Sequence, residues 1–349
     1  MSEFDEEKYS DCEKIKKRAI ELRRGRSVSR ARPQVSVVIP AYKSAEYIAD
    51  TLNSVFEQTF EDFEVIVVND GSPDTAELEA ALEPFFERII YARQENGGVS
   101  RARNLGICLA RAPLIALLDG DDQWLPDFLA SQVNYLELNN LDMVYCDAEF
   151  FGDAYYSGET FMQSAPSIGA VSPVSLLAAE CNVITSGTVL KKEALADTNL
   201  FDTMLPHMQD FDLWLRLARA GKKICYQRKV LVRYRVSSKG LSGSNVERAW
   251  RNVHALAVAE QKHRLSDAER EAWERQMRLS NAEYEIEKGK FSLAMKDFAE
   301  ARLHFIEANK FQPKAKLRVL IFLLKFAPNL TFQLFRKFRP SEFSFILPD

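Results

Sequence analysis

The segment LLDGDDQWLPD brings three carboxylates, those of Asp119, Asp121 and Asp122, together directly after an apolar run. Like charges held this close repel one another, and the repulsion is costly unless a positive group joins them. A divalent cation is a natural partner, because Mg²⁺ or Mn²⁺ binds one or two carboxylates together with substrate phosphates. Such a metal would neutralise a diphosphate as it leaves a sugar. A solvated acidic turn explains the tetrapeptide DGDD, residues 119–122, equally well.

Two further polar segments could bind a ligand. The turn NDGS follows a second apolar run, and its Asp70 could accept the imide N–H of a uracil ring or bond a ribose hydroxyl, although NDGS is also a good turn by itself. In NGGVSRARN the glycines allow close backbone approach, and Arg101 or Arg103 could contact phosphate or simply decorate a helix start. Neither segment is a GxGxxG fingerprint or a Walker A loop, so dinucleotide and ATP binding are not supported.

A third acidic segment, HMQDFDLWLRLARAG, carries Asp210 and Asp212 at the start of a predicted amphipathic helix. An aspartate near an acceptor could remove the proton from an attacking hydroxyl. For either aspartate alone, an acidic first turn favoured by the helix dipole is an equal alternative. Trp214, in the same helix, is predicted to lie in the core or in a pocket wall.

The elements that would position these segments alternate between strands and helices. Apolar, β-branched runs predict strands at VSVVIP, EVIVVND, IIYA, PLIALLD and DMVYCD, and helical spacing predicts the helices between them. Strands that are apolar on both faces predict an α/β class, with a mostly parallel sheet and helices on both faces. In such sheets ligands bind at the carboxyl ends of the strands. Because Pro40-Ala41-Tyr42, NDGS and DGDD each follow a strand, we expect them to form one site.

Composition and charge limit the function classes. A hydrophobic content of 46% and a charged content of 28% are ordinary for a globular protein, and the net charge of -4 argues against nucleic-acid binding. The five cysteines show no zinc-site spacing and are predicted to be buried free thiols in a reducing compartment. With no apolar run of the ~20 residues that span a bilayer and no signal-peptide pattern, we expect a cytoplasmic protein, able to touch the inner face of the membrane.

The chain divides by pattern into three parts. Residues 1–32 predict a mobile charged tail or marginal helix, residues 33–244 the α/β domain, and residues 245–349 a helical region. Near the end of the α/β domain, ICYQRKVLVRYRV predicts a pair of strands. Residues 314–340 interleave basic with apolar residues and contain no acid, so they could lie in a membrane interface. Two core-packed helices broken at Pro328 are a slightly favoured alternative.

Taken in order, four segments resemble glycosyltransferase family 2, the inverting nucleotide-diphospho-sugar transferases with the GT-A fold. The segments are VSVVIPAYKSAEYIADTLNSVFEQTFEDFEVIVVNDGS, NGGVSRARNLGICLARAPLIALLDGDDQWLPD, QDFDLWLRLARAG and VRYRV. The resemblance covers roughly residues 35–242. It implies a GT-A domain with a Rossmann-like, mostly parallel central sheet, followed here by a helical C-terminal extension.

The resemblance also implies a role for each matching residue. Asp119 and Asp121 match the D-x-D pair that holds ribose and the metal-bound diphosphate, with Asp121 as the metal ligand and Asp122 as an extension of the pair. Asp210 matches the second residue of the family's Glu-Asp pair, the proposed catalytic base. The residues expected to bind the nucleotide-sugar, with the first three lining the base, are Pro40, Ala41, Tyr42, Asp70, Arg103, Asp119, Gly120 and Asp121.

Two departures from the family pattern concern the acceptor and the metal. Gln209 stands where the family has Glu, and Gln209 and Trp214 are expected on the acceptor side of the pocket. Many relatives also have a metal-binding histidine shortly after a Tyr-Arg pair. Here the pair Tyr234-Arg235 is followed by Val-Ser, so that ligand is missing or supplied otherwise.

The leading hypothesis is an inverting glycosyltransferase of polysaccharide biosynthesis. It would move a hexose or N-acetylhexosamine from a UDP-sugar to a hydroxyl of a glycan or lipid-linked acceptor, with Mn²⁺ or Mg²⁺; GDP and dTDP donors remain open. A sugar-1-phosphate nucleotidyltransferase would carry a glycine-rich basic loop that PAYKSAEYI lacks. Two alternatives from another class are a non-catalytic nucleotide-sugar- or glycan-binding module, which intact Asp119, Asp121 and Asp210 disfavour, and a membrane-surface scaffold acting through residues 314–340.

Overall fold

The computed structural model describes residues 11–28, 32–152, 159–236 and 245–338. One compact unit takes in the described parts of Met1–Phe151, Gly158–Leu176 and Glu180–Arg235. A second takes in those of Gly152–Ser157, Leu177–Ala179 and Val236–Asp349. The first unit holds a nine-stranded sheet with the strand order β1-β4-β3-β2-β5-β8-β7-β9-β6, and from residue 245 onward the described residues are helical.

Four parallel neighbours form the half of the sheet that the sequence predicted. They are β2 (Val35–Ala41), β3 (Phe63–Asn69), β4 (Ile89–Arg93) and β5 (Leu114–Leu117). The register pairs Ala41 with Asn69 and Val38 with Leu117, so the carboxyl ends of the strands meet at one edge of the sheet. Asn69 in turn pairs with Arg93 at the end of β4. The loops that follow these strands are therefore neighbours.

Successive side chains of a strand point to opposite sides of the sheet, so the parallel strands have two apolar faces to bury. Helices cover both of these faces. Val37 and Ile39 of β2 belong to one buried cluster, whereas Val38 belongs to the cluster on the other face. The predicted α/β class with a mostly parallel central sheet is confirmed. Helix α1 comprises residues 11–16, and the later helices up to residue 219 are α2 (Ile48–Phe56), α3 (Thr75–Leu82), α4 (Val99–Leu109), α5 (Phe128–Leu138), α6 (Phe161–Ser164), α7 (Pro173–Leu177), α8 (Lys192–Asp197) and α9 (Gln209–Arg219).

Antiparallel strands complete the other half of the sheet. They are β6 (Gln123–Trp124), β7 (Met143–Gly152), β8 (Thr188–Lys191) and β9 (Ile224–Val236). Strand β8 is antiparallel to both β5 and β7, and β6 is antiparallel to β9. The predicted strand pair in ICYQRKVLVRYRV is wrong, since β9 is one strand of 13 residues. The polar middle of β9 continues the strand, and its buried Gln227 side chain is satisfied by donating from Nε2 to Ser131 Oγ at 3.0 Å.

The N-terminal segment is more ordered than its charge pattern predicted. The sequence predicted a mobile tail or a marginal helix here. Residues 11–16 are helical (α1), and β1 (Glu21–Arg24), which was not predicted, pairs antiparallel with β4. A charged strand is tolerated at a sheet edge, where side chains can stay in water while one side of the backbone is paired. Residues 1–10 and 29–31 of the predicted tail lie outside the described residues.

A disulfide between Cys12 and Cys108 joins the N-terminal segment to α4. The prediction of five free thiols is therefore wrong for this pair, because the fold brings together two cysteines that are 96 residues apart in the sequence. Cys146, Cys181 and Cys225 are free, and the first two are buried.

The second unit is built from helices α10 (Asn245–Lys262), α11 (Asp267–Ala294), α12 (Phe298–Phe311), α13 (Ala315–Phe326) and α14 (Pro328–Phe338). Ser266 and Glu269 form a capping box at the start of α11. Phe305 of α12 and Leu324 of α13 lie in the buried cluster of this unit. Along the described residues, no helix is both long enough and apolar enough to cross a membrane.

Candidate functional site

Asp70, just after β3, organises the loop that leads into α4. Its Oδ1 accepts hydrogen bonds from Gln94 Nε2 at 2.6 Å and Gly97 N at 3.0 Å, and its Oδ2 accepts one from Gly98 N at 2.8 Å. Next to it, Gly71 has φ +60°, and a Cβ there would lie 2.5 Å from Asn96 N. Asp70 therefore holds the glycine loop by charge-assisted hydrogen bonds, which are the stronger kind. Its predicted contact with the nucleotide base stays a prediction.

Asp119, which follows β5, is paired with Arg103 of α4. Arg103 Nη2 donates to Asp119 Oδ1 at 2.5 Å, and the guanidinium lies 5.3 Å from the Phe201 ring centroid. The Arg103 side chain is only 4% exposed, yet its Nε and Nη1 have no hydrogen-bond partner among the described residues. Buried donors normally find an acceptor. An oxygen-rich ligand beside Asp119 would supply one.

Asp122 is buried, and its carboxyl group connects the turn after β5 with the turn Thr185–Gly187 and with β9. Its Oδ2 accepts from Ser186 Oγ at 2.5 Å and its Oδ1 accepts from Arg235 N at 2.8 Å. Ser186 Oγ also accepts from Asp119 N at 3.1 Å. Burial, followed by the charges of Asp121 and Asp119, raises the pKa of Asp122 well above its ordinary value. This carboxyl group is therefore held within the fold, and its predicted role as an extension of the D-x-D pair stays a prediction.

Asp121 is the second carboxyl group of the cluster whose pKa is raised. Burial and then the charge of Asp119 raise its pKa to about 6, and the charge of Arg235 opposes this rise. Arg235 Nε donates to Asp121 O at 2.9 Å. The guanidinium of Arg235 lies 4.3 Å from the Tyr47 ring centroid and 4.4 Å from that of Phe151. These aromatic rings hold a positive charge beside Asp121.

The carboxylates of this cluster could share a divalent cation with a substrate. No group of three or more His, Cys, Asp or Glu side chains that could hold a metal ion occurs within the described ranges. Mg²⁺ sites of the kind that use one or two carboxylates and complete their coordination with water and phosphate do not need such a group. The raised pKa of Asp121 fits this arrangement, because a nearby cation would favour the ionised form.

Asp210 reaches the same edge of the sheet from the start of α9. Its Oδ1 accepts from Phe211 N at 2.8 Å, and its Oδ2 accepts from Thr185 Oγ1 at 3.2 Å. Thr185 immediately precedes Ser186, which contacts both Asp119 and Asp122. The short turn Thr185–Gly187 therefore links Asp210 to the aspartates that follow β5.

The neighbours of Asp210 in α9 differ in their surroundings. Gln209 Oε1 is buried and has no hydrogen-bond partner among the described residues. Asp212 is 3% exposed and pairs with Arg216 Nε at 2.8 Å, so its role is structural. Trp214 lies in the core against Phe201, with the rings in an edge contact at 6.4 Å. Of the two alternatives for Trp214, the core and a pocket wall, its burial favours the core, and its predicted place on the acceptor side of the pocket stays a prediction.

The segment Pro40-Ala41-Tyr42 lies beside both the Asp70 turn and the DGDD turn. A Cβ on Gly120 would lie 3.0 Å from Pro40 O, so the glycine permits this close approach. Ala41 is fully buried, and its O accepts from Asp70 N at 3.0 Å. Tyr42 is exposed. The structure thus brings together the segments that the sequence placed at one edge, with Ala41 taking part through its backbone.

Three residues that contact the site aspartates were not predicted from the sequence: Thr185, Ser186 and Arg235. Each acts through contacts with residues far away in the sequence, such as the bond from Arg235 N to Asp122 across 113 residues. A weak signal existed in the polar run CNVITSGTV and in the Tyr-Arg pair of VRYRV.

Comparison with known proteins agrees with this architecture. Residues 36–173 match the family model described as Glycosyl transferase family 2. An uncharacterized glycosyltransferase of Rickettsia bellii is 31% identical over 224 residues, which are 62% of this chain and 32% of the relative. The chain therefore spans about a third of that relative's length.

Two solved structures share the fold. A structure of S. aureus TarS 1–349 in complex with UDP-GlcNAc has a TM-score of 0.53 and 16% identity, covering 88% of this chain and 92% of the other. The mannosyltransferase PcManGT from Pyrobaculum calidifontis, in complex with GDP-Man and Mn²⁺, has a TM-score of 0.58 and 18% identity, covering 94% and 93%. Residues 36–173 are thus similar to glycosyl transferase family 2, and the fold of the chain is similar to the folds of TarS and PcManGT.

Proposed function

We propose that this chain is an inverting glycosyltransferase that moves a sugar from a nucleotide-diphospho-sugar to a hydroxyl of a glycan or lipid-linked acceptor. The observation that carries the proposal is the convergence of the Asp70, Asp119–Asp122 and Asp210 segments at one edge of the sheet. The family match supports the same reaction class. The structural relatives bound to UDP-GlcNAc and GDP-Man support a nucleotide-sugar donor, of which UDP-hexose or UDP-N-acetylhexosamine is our first choice.

Binding of the donor would rely on backbone groups and two arginines. Pro40, Tyr42 and the loop held by Asp70 would surround the nucleotide base. Arg103, with two unpaired buried nitrogens, would bond donor oxygens beside Asp119. Arg235, held between two aromatic rings, would place a positive charge near the diphosphate.

A divalent cation, Mn²⁺ or Mg²⁺, would be held by Asp121 together with donor phosphates. When bound, it would neutralise the negative charge that develops on the departing diphosphate. The fit rests on the placement of two carboxylates, those of Asp119 and Asp121, in one turn after β5, close enough for the charge of Asp119 to raise the pKa of the buried Asp121. A cation beside them would relieve this repulsion. The structural relative with Mn²⁺ is consistent with this assignment.

Asp210 would act as the catalytic base. Its carboxylate would accept the proton of the acceptor hydroxyl while that oxygen bonds to the anomeric carbon. The bond from the anomeric carbon to the diphosphate would break at the same time on the opposite side, which gives inversion. Thr185 and the backbone of Phe211 would fix the orientation of the carboxylate. The neutral Gln209 would offer an amide to the acceptor, where the family has a charged Glu.

The competing hypothesis is a module that binds the donor without turning it over. We would test the proposal by incubating the protein with Mn²⁺, a panel of nucleotide-sugars and a mixture of glycan acceptors, and measuring release of nucleoside diphosphate. The substitution Asp210→Asn is expected to lower kcat by about 10²-fold or more, the range for loss of a general base. Donor affinity should change little, because Asp210 would contact the acceptor.

Asp197→Asn provides a matched control. Asp197 lies in the same unit, at the end of α8, and pairs with Lys222 at 2.7 Å, and none of the site contacts described above involves it. We expect near-normal turnover in this variant. Equal rates of diphosphate release in Asp210→Asn and the unsubstituted protein would contradict the role of Asp210. Donor binding without release from any acceptor would favour the binding module.

A further inference from the structure

Helices α13 and α14 each carry exposed apolar side chains that the packing of the helical unit does not bury. On the inner side, Leu317 and Leu324 are buried in a cluster with Phe305. The outward apolar side chains of the two helices, 40–64% exposed, are Val319, Phe322, Phe326, Leu330 and Leu334. Isolated exposed apolar residues are normal, but a contiguous exposed apolar patch marks an interaction site.

The outward residues of α13 form one stripe with positive charge on both sides. At 3.6 residues per turn, Val319, Phe322 and Phe326 follow one another along a single side of the helix. On the same helical projection Arg318 lies at one border of this stripe and Lys316 at the other; both are exposed. An apolar stripe bordered by basic side chains is typical of helices that lie in a membrane interface.

The charge of this region is one-sided, although the chain as a whole has a net charge of -4. Residues 314–340 contain seven Lys and Arg and no Asp or Glu. An occupant of the face must therefore offer apolar contact and negative charge together. A second copy of the chain fits poorly, because a symmetric contact would bring the two basic borders against each other. The surface of a bilayer with anionic lipids offers both features.

We propose that the outward face of α13 and α14 docks onto an anionic lipid bilayer. The helices would lie in the interface, with Phe322 and Phe326 inserted and the basic residues among the headgroups. The α13 helix has 12 residues, about 18 Å at 1.5 Å per residue, which is well short of the hydrocarbon core of about 30 Å. The inference does not depend on the proposed transferase reaction.

The test is co-sedimentation of the full chain with vesicles. One set contains phosphatidylcholine alone, and the other contains phosphatidylcholine with phosphatidylglycerol. We expect binding to the second set, with weaker binding as NaCl is raised, because salt screens exposed charges. Lys316→Gln with Arg318→Gln should reduce binding about 25-fold, taking about fivefold for each basic residue near an anionic surface.

The apolar half of the surface is tested by Phe322→Ser with Phe326→Ser. Both side chains are more than 60% exposed, so the fold should survive, and binding should fall about tenfold or more as inserted aromatic area is lost. The matched control is Met295→Ser with Leu303→Ser, which removes two side chains of the same helical unit that are each 54% exposed. We expect the control to bind like the unsubstituted chain.

Three results would overturn the proposal. The first is equal binding to vesicles with and without phosphatidylglycerol. The second is equal loss of binding in the control and the Phe322/Phe326 variant. The third is no vesicle binding together with a dimer, seen by sedimentation velocity, that the Phe322/Phe326 variant abolishes; this would assign the face to a second copy of the chain.

Discussion

At the scale of single residues, aspartates that are close together in the sequence have different partners in the fold. Asp122 and Asp121 are adjacent in the sequence, yet Asp122 accepts two hydrogen bonds within the fold while Asp121 is left beside Asp119 with Arg235 as its nearby positive charge. Similarly, Asp212 pairs with Arg216, whereas Asp210 contacts the Thr185 hydroxyl. The sequence could identify the aspartates but not divide their roles, because the division depends on partners from distant segments.

The raised pKa of Asp121 predicts a specific dependence of stability on pH. The pKa is 3.8 ordinarily and about 6 in the folded chain, so the protonated form is favoured by folding. The stability that the protonated Asp121 carboxyl group contributes is fully present below pH 3.8 and is lost as the pH rises through about 6. The melting temperature of the metal-free protein should therefore fall between about pH 4 and pH 6 and level off above that range. The fall should be smaller in Asp121→Asn, which does not ionise.

Asp210→Asn is the control for this measurement, because it removes a carboxylate of the same site without touching Asp121. Its melting temperature should show the same decline as the unsubstituted chain. The buried Asp122, whose pKa is also raised, would keep part of the decline in Asp121→Asn. Identical pH profiles for Asp121→Asn and the unsubstituted chain would show that Asp121 carries no such penalty.

At the scale of elements, the site depends on α4 packing closely against the parallel strands. Helix α4 begins at the loop held by Asp70, carries Arg103 to Asp119, and crosses the sheet at Gly106. The sequence predicted the parallel strands and this helix well, because their apolar patterns are local. It did not predict β1 or the single long β9, because a charged edge strand and a polar strand interior are stabilised by pairing with distant residues.

Gly106 tests the packing of α4 directly. A Cβ at this position would lie 2.4 Å from Val38 Cγ1, a distance that real contacts do not show. Alanine is a better helix former than glycine by about 1 kcal/mol, yet we expect Gly106→Ala to lower the stability by about 1–3 kcal/mol because the core is overfilled. Denaturant unfolding would measure the difference.

Arg101→Ala, on the exposed side of the same helix, is the control. A surface substitution of this kind should change the unfolding free energy by less than about 0.5 kcal/mol. If Gly106→Ala were more stable than the unsubstituted chain, helix propensity would outweigh the contact, and the close approach of α4 to β2 would be disproved.

At the scale of the whole molecule, a sheet edge rich in aspartates and a basic, apolar helical surface occur in one chain. The first could be predicted largely from the order of motifs, since parallel strands bring their carboxyl ends to one edge. For residues 314–340 the sequence left two alternatives, a membrane-interface segment and two core-packed helices. The exposure of Phe322 and Phe326 indicates an outward apolar surface in addition to the core packing. Whether a helical residue points inward or outward depends on the neighbouring helices, which local spacing does not specify.

The central claim is that carboxylates from separate segments surround a cation and a donor diphosphate at one rim of the sheet. The most direct measurement is calorimetric titration of the full chain with UDP-GlcNAc, UDP-glucose and GDP-mannose, with and without Mn²⁺, in parallel with Asp121→Ala. We predict that one donor binds at least about tenfold more tightly with Mn²⁺, which corresponds to about 1.4 kcal/mol, and that this gain disappears in Asp121→Ala. Donor binding that is the same with and without Mn²⁺, or a Mn²⁺ gain that persists in Asp121→Ala, would contradict the account.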